Sequence, residues 1–201
     1  MKFKAIALDM MGVVYPTGDD LRELLIPYLQ REGIELNRDV IIEAYRRSYR
    51  QGESATSFWE NLGLAAPHEA IEARLMDLYE LSPGARDFLD YLAANEVPTY
   101  SLSNDVAQWA IRRRKHLGID HYFAGSVISG ELGVPKPEPA IYQALAKLIP
   151  CSPPECLFVD DRPVNVEGAA KVGFATVLFG VSTHETLDCV ADFEALKHYI
   201  A

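Results

Sequence analysis

The chain has no long apolar run and very little cysteine. None of its apolar stretches approaches the roughly 18 residues that a membrane span needs, so no membrane helix is predicted. The three cysteines are odd in number, and their spacing fits neither a zinc site nor a disulfide framework. Asp9 interrupts the apolar N-terminal stretch, and no small-residue cleavage pattern follows it, which argues against a secretory leader. We therefore expect free thiols and a cytoplasmic protein.

Basic charge is also scarce. Lys and Arg number 19 against 29 Asp and Glu, which gives a formal net charge of -10. Because an acidic chain repels phosphate backbones, nucleic acid is not an expected partner, and a small anionic substrate would need a local cation to hold it. The length of 201 residues predicts one domain, or one domain that carries a small insert.

Short apolar runs recur along the chain and alternate with helical patterns. Runs that are apolar on both faces are typical of central parallel strands. Their alternation with helices predicts an α/β fold, a doubly wound, Rossmann-like parallel sheet. The predicted strands are Ala5–Leu8, Val97–Leu102, Ser126–Ile128, Cys156–Val159 and Ala175–Phe179.

Residues 15–81 break the alternation. Apolar residues there recur at helical spacing in four stretches, and no strand pattern is present. We expect an α/β core made of residues 1–14 and 82–201, with an all-helical cap at residues 15–81. The insert has seven arginines and no lysine. Most charged helix residues face water, but Arg46, Arg47 and Arg50 are candidates to meet a substrate anion.

Further helical patterns follow the insert, one of them over residues 106–117. Residues 112–115 form a basic run, which we expect to be the solvated end of a helix. Ser103 and Asn104 precede that helix and are candidates to cap it.

Polar clusters follow the predicted strands where the strands end. Because ligands bind at the carboxyl ends of parallel strands, we expect these clusters to converge on one edge of the sheet. Carboxylates that converge repel one another unless a cation lies among them, and oxygen ligands suit Mg²⁺. A strand-end carboxylate can also act as a nucleophile, with an ammonium and a hydroxyl orienting a transferring phosphoryl group. The clusters are Asp9, Ser103-Asn104, Lys136 and Asp160-Asp161.

In this order the clusters resemble the four motifs of the haloacid dehalogenase superfamily of hydrolases. Residues 136–142 (KPEPAIY) look like its third motif, and residues 158–169 (FVDDRPVNVEGA) look like its fourth. The resemblance implies a helical cap at residues 15–81 that closes over a small phosphorylated substrate, and an aspartyl nucleophile at Asp9.

The resemblance also implies a set of ligands. Mg²⁺ would be held by the Asp9 carboxylate, the backbone carbonyl of Met11 and the Asp160-Asp161 pair, with Asp161 as the direct ligand of the two. The phosphoryl group would be bound by Ser103, Asn104 and Lys136.

Met11 departs from the family pattern. The family's phosphatases carry at this position a second Asp that serves as general acid and base, and a thioether has no transferable proton. Such assistance is worth roughly 10²–10⁴ in rate. The sequence therefore predicts a Mg²⁺-dependent phosphatase with weakened or altered proton transfer, or a family member that binds a phosphorylated ligand without turnover. Metal-free haloacid dehalogenation fits less well, because those relatives lack the acidic pair.

Overall fold

The computed structural model describes residues 1–65 and 68–201. At its centre is a six-stranded sheet in which every pairing is parallel, with the strand order β3-β2-β1-β4-β5-β6. The predicted α/β class is thereby confirmed. The strands are β1 (Ala5–Leu8), β2 (Thr99–Ser103), β3 (Phe123–Ile128), β4 (Cys156–Asp160), β5 (Ala175–Phe179) and β6 (Cys189–Val190).

The helices cover both faces of the sheet. A π-helical turn at Leu21–Leu25 precedes the first of them. They are α1 (Ile26–Arg31), α2 (Arg38–Gln51), α3 (Ala55–Asn61), α4 (Glu69–Met76), α5 (Ala85–Ala94), α6 (Ala107–His116), α7 (Ser129–Leu132), α8 (Pro139–Leu148), α9 (Pro163–Val172) and α10 (Phe193–Ile200).

The central strand shows why both faces must be covered. Successive side chains of a strand point to opposite faces, and all four residues of β1 are buried. Ile6 and Leu8 pack in the cluster that includes α5 and α10, whereas Ala5 and Ala7 pack in the cluster that includes α8 and α9. Each fully buried Ile or Leu contributes roughly 1.5–3 kcal/mol, so the apolar run of β1 holds the two layers together.

Several strand ends differ from the sequence prediction. β2 begins two residues later and ends one residue later than expected, and β4 ends one residue later. β3 begins three residues earlier than expected, in its half-buried part, and β6 has only two residues. Strands that are this short or this exposed carry little of the apolar signal from which a strand is predicted.

Residues 15–81, which we call the helical segment, lie between β1 and α5. Their described part contains the π-helical turn and α1–α4 but no β-strand. The longest helix, α2, begins where the Asn37 side chain accepts a hydrogen bond from the Asp39 amide, and it ends at Gly52 with a φ of 75°. It packs against α7, while α3 and α4 pack against α6.

The expectation for residues 112–115 was wrong at two positions. Arg113 is completely buried and Arg114 is 6% exposed, because α6 lies between the sheet and the helical segment. Ser103-Asn104 does not cap this helix either. Ser103 ends β2, and Val106 is the N-cap residue, with no side-chain cap.

The cysteine prediction is confirmed, since Cys151, Cys156 and Cys189 are all free. Among the described residues, no helix has the length and apolar character needed to cross a bilayer.

Candidate active site

Lys136 joins two carboxylates at the carboxyl edge of the sheet. Its Nζ lies 2.8 Å from Asp9 Oδ1 and 2.7 Å from Asp160 Oδ2, and it also donates to the Leu102 carbonyl at 2.9 Å. Asp9 follows β1 and Asp160 ends the neighbouring β4, so parallel pairing places the two acids side by side. All three side chains are buried, and the ammonium is therefore held without competition from water.

Asp161 adds a third carboxylate to this edge. Asp9, Asp160 and Asp161 each offer an oxygen, and these oxygens lie within 4.8 Å of one another. Gly12, in the loop after β1, has a φ of 76°, and a Cβ at this position would collide with the Asp161 carboxylate. The absence of a side chain at Gly12 lets this loop approach Asp161 closely.

The cluster holds three carboxylates and one ammonium, and the pKa values of Asp9, Asp161 and Lys136 reflect this shortage of positive charge. Burial and the nearby Asp160 charge raise the pKa of Asp9 well above its usual range. The same two causes raise the pKa of Asp161 to about 6. Burial lowers the pKa of Lys136, but Asp160 and Asp9 outweigh it and leave that pKa above its usual value. A divalent cation would offset the repulsion between the ionised carboxylates. Carboxylate oxygens are also the ligands that Mg²⁺ prefers.

Asp160 and Asp161 differ in how many of their oxygens are already bound. Asp160 accepts hydrogen bonds from Lys136, from the Arg162 amide at 2.9 Å and from the Asn165 side chain at 3.0 and 3.1 Å. Asp161 is only partly buried and lines a cavity. Asn165 was not assigned a site role from the sequence, because an amide in a helix gives no signal until its partner is known.

Ser103 and Asn104 lie at the end of β2, and the structure uses them differently. The Asn104 side chain donates from Nδ2 to the Lys136 carbonyl at 3.0 Å and accepts at Oδ1 from the Lys136 backbone N–H at 2.7 Å. Asn104 therefore fixes the loop that carries Lys136. The Ser103 hydroxyl is buried and has no hydrogen-bond partner among the described residues, and Ser103 is not one of the residues that line the cavity beside Asp161. An unpaired buried hydroxyl is costly, and an oxygen-rich ligand would satisfy it.

A cavity of about 580 Å³ opens beside these groups. Its volume lies in the range of small-molecule sites. Asp9, Met11, Asn104, Lys136 and Asp161 line it on the sheet side. The helical segment contributes the other wall, with residues 18–23 and four side chains of α2. The α2 residues are Ile42, Tyr45, Arg46 and Tyr49.

A family model of haloacid dehalogenase-like hydrolases matches residues 3–173. Because the match covers most of the 201 residues, the chain belongs to the haloacid dehalogenase-like hydrolase family.

Curated relatives of this family member include phosphatases. A glyceraldehyde 3-phosphate phosphatase of Methanopyrus kandleri is 36% identical over 95 residues, which are 44% of this chain and 40% of that protein. A phosphatase of Mycobacterium tuberculosis is 26% identical over 208 residues, which cover 98% of this chain and 96% of that protein. The chain spans about half the length of several curated relatives that it matches, with alignments over 40%, 45% and 53% of three of them.

Solved structures confirm the fold. A family enzyme from Bacteroides thetaiotaomicron, a mutant in complex with magnesium and inorganic phosphate, superposes with a TM-score of 0.73 at 20% identity. The superposition covers 92% of this chain and 97% of that chain.

Proposed function

We propose that this protein is a Mg²⁺-dependent phosphatase of small phosphorylated metabolites, with Asp9 as its nucleophile and the helical segment as the cap of its active site. The observation that carries the proposal is the cluster of Asp9, Asp160 and Asp161 around one lysine at the edge of a ligand-sized cavity. The family membership and the phosphatases among the relatives agree with it.

Asp9, the Met11 carbonyl and Asp161 would hold the Mg²⁺ ion. Asp160 would not be a direct ligand of the ion, because its oxygens already accept hydrogen bonds from Lys136, Asn165 and the Arg162 backbone N–H. When bound, the ion supplies positive charge that keeps the acids ionised and neutralises the phosphoryl oxygens.

The chain's own groups account for the transfer. The free oxygen of Asp9 attacks phosphorus, a bond from Asp9 to phosphorus forms, and the bond to the leaving oxygen breaks. Lys136 stabilises the negative charge of the transferring group, and the unpaired hydroxyl of Ser103 donates to one of its oxygens. Water then cleaves the aspartyl-phosphate, which releases inorganic phosphate and returns Asp9 to its carboxylate form.

Met11 sets the preferred leaving group. It lines the cavity beside Asp9 but carries no proton to give. An alkoxide leaves slowly without a proton, whereas a carboxylate or an enolate needs none. We therefore expect acyl and enol phosphates to turn over faster than alkyl phosphates.

The test is hydrolysis of acetyl phosphate and of glycerol 3-phosphate, with and without Mg²⁺, by the native chain and by Asp9→Asn. Asn keeps the shape of Asp9 but is not a nucleophile, so we expect a loss of about 10⁴-fold or more in kcat. Circular dichroism of the variant controls for folding. If the native chain released phosphate from neither compound, the proposal would be refuted.

A second candidate function follows from Met11 as well. A chain without a proton donor at this position would still bind a phosphorylated ligand through Lys136 and Ser103. Binding of inorganic phosphate in the presence of Mg²⁺, without turnover of either test compound, would favour this binding role over the phosphatase.

A further inference from the structure

Helix α2 presents a mixed surface to the cavity. Ile42, Tyr45, Arg46 and Tyr49 are spaced i, i+3, i+4 and i+7, so they share one face of the helix, and all four line the cavity. Three of them contribute aliphatic or aromatic surface. Arg46 contributes the charge of this face, and it is exposed.

The neighbouring arginines of α2 are engaged elsewhere. Arg47 Nε lies 3.5 Å from Glu53 Oε2, and the Arg50 guanidinium lies 5.8 Å from the centre of the Tyr49 ring. Neither residue lines the cavity. Within the part of the chain that the structure describes, Arg46 forms no ion pair with any carboxylate.

The acids on the same wall are already partnered. Asp19 pairs with Arg22 at 2.9 Å, and the Glu23 carboxylate accepts a hydrogen bond from the Asp19 backbone N–H at 3.0 Å. Asp20 accepts hydrogen bonds from the hydroxyls of Tyr45 and Tyr79, each at 2.9 Å. Their charge is therefore partly compensated, and within the described residues the Arg46 guanidinium lines the cavity without an ion pair to any of these acids.

Among the described residues, Lys136 and Arg162 are the cations on the sheet side of the cavity, and both lie beside the carboxylate cluster. Lys136 is shared between Asp9 and Asp160, and in the proposed reaction it meets the transferring phosphoryl group. Arg162 lies next to the carboxylate cluster and is exposed. A second anionic group of a bound molecule, reaching the opposite wall, would meet Arg46.

We propose that Arg46 binds a second anionic group of the substrate, so that the ligand class is a small molecule with a phosphoryl group and a separate carboxylate or phosphate. A guanidinium forms paired hydrogen bonds with either group, and Tyr45 and Tyr49 flank it with ring centroids 5.7 Å apart. This inference rests on the proposed function for the position of the first phosphoryl group.

Binding measurements test the proposal without relying on turnover. We would use the full chain with Asp9→Asn, in the presence of Mg²⁺, and measure dissociation constants by calorimetry. The paired probes are 3-phosphoglycerate against glycerol 3-phosphate for a second carboxylate, and fructose 1,6-bisphosphate against fructose 6-phosphate for a second phosphate. Arg46→Ala, Arg46→Lys and the matched control Arg50→Ala are added to the same background.

We expect one of the two-anion probes to bind more tightly than its one-anion counterpart. Arg46→Ala should erase about 10- to 100-fold of that preference, which is the usual scale of a charged hydrogen-bonded contact. Arg46→Lys should retain part of the preference because it keeps the charge but loses the paired geometry. Arg50→Ala, on the same helix but outside the cavity, should retain all of it.

Two results would overturn the subsite. One is the lack of any preference for either two-anion probe before Arg46 is changed. The other is an equal loss in Arg46→Ala and Arg50→Ala. A preference that depends on Arg46, in a native chain that hydrolyses no phosphate, would instead support the subsite and reject the phosphatase, so the two proposals fail separately.

Discussion

Two buried cations in this molecule each bridge two carboxylates, yet their surroundings differ. Lys136 joins Asp9 and Asp160 at 2.8 and 2.7 Å. Arg113 joins Asp105 at 2.6 Å and Asp20 at 3.5 Å. Lys136 and Arg113 are both almost inaccessible to water.

The cluster around Lys136 is open and short of positive charge. It has a third carboxylate, Asp161, and an adjoining cavity. The cluster around Arg113 is closed. The hydroxyls of Tyr45 and Tyr79 bind Asp20, and the Arg113 guanidinium lies 3.9 Å from the Tyr79 ring centre.

The difference shows what distinguishes a candidate site from a structural link. Buried ionised groups persist when they are paired and hydrogen-bonded. The Arg113 cluster pairs its charges with its own side chains, although Asp105 Oδ1 and Arg113 Nε have no hydrogen-bond partner among the described residues. Asp20 belongs to the helical segment, whereas Asp105 and Arg113 belong to the sheet layer, so the cluster fastens one to the other. In the Lys136 cluster three carboxylates face one ammonium, so the charges are not balanced by the cluster's own side chains.

The largest effect on stability should come from breaking the closed cluster. Arg113→Met would leave Asp20 and Asp105 buried without their cation, and we expect a loss of about 3–5 kcal/mol in the free energy of unfolding. Urea denaturation measures it. Lys115→Met, an exposed position on the same helix, should change that free energy by less than about 0.5 kcal/mol. A similar small change for both variants would contradict the structural role of Arg113.

An intermediate effect should come from restoring a proton donor to the open cluster. Met11→Asp should raise the turnover of glycerol 3-phosphate by about 100-fold, because general acid assistance is worth at least that much. Met11→Asn has the size of the Asp variant but no acidic proton, and it should show no comparable gain. Equal rates for the two variants would mean that a different group already supplies the proton or that departure of the leaving group is not limiting.

The smallest effect should come from magnesium at different pH values. At a Mg²⁺ concentration ten times its dissociation constant, the native chain should gain about 1.4 kcal/mol in the free energy of unfolding at pH 7.5. The gain should shrink as the pH falls through 6, because protons compete for Asp161, whose pKa is raised to about 6 by burial and by Asp160.

Without metal, the free energy of unfolding should change with pH in the opposite direction. A carboxyl group with a raised pKa binds more protons in the folded than in the unfolded protein between about pH 4 and 6, so metal-free stability falls as the pH rises through that window. Thermal unfolding with Mg²⁺ and with a chelator separates the two trends. Asp161→Asn serves as the control, and a magnesium gain that persists in this variant at an undiminished size would exclude Asp161 as a ligand.

Much of the open cluster could be predicted from the sequence. Asp9 follows β1 and Asp160 ends β4, and parallel strands carry such residues to one edge. Lys136 does not follow a strand directly, since α7 separates it from β3. The apolar runs of β1 and β4 gave a strong signal, because their residues are buried on both faces.

The closed cluster could not be predicted in the same way. Arg113 belongs to a basic run that looks like a solvated helix end, and nothing in its neighbours shows that the helical segment covers it. The cavity-facing role of Arg46, as opposed to Arg47 and Arg50, was equally hidden, because three arginines within one and a half turns look alike until the orientation of α2 is known.

The sequence by itself determined the α/β class and the order of the polar clusters along the chain, because apolar periodicity and strand-end residues are local properties. It also determined that Met11 offers no proton. Only the tertiary structure decided which charges are buried together, since Asp20 and Arg113 are 93 residues apart and meet through packing of the helical segment on α6. That packing decides which charges are buried and which groups they pair with. It closes the cluster around Arg113 and leaves the cluster around Lys136 open to a ligand.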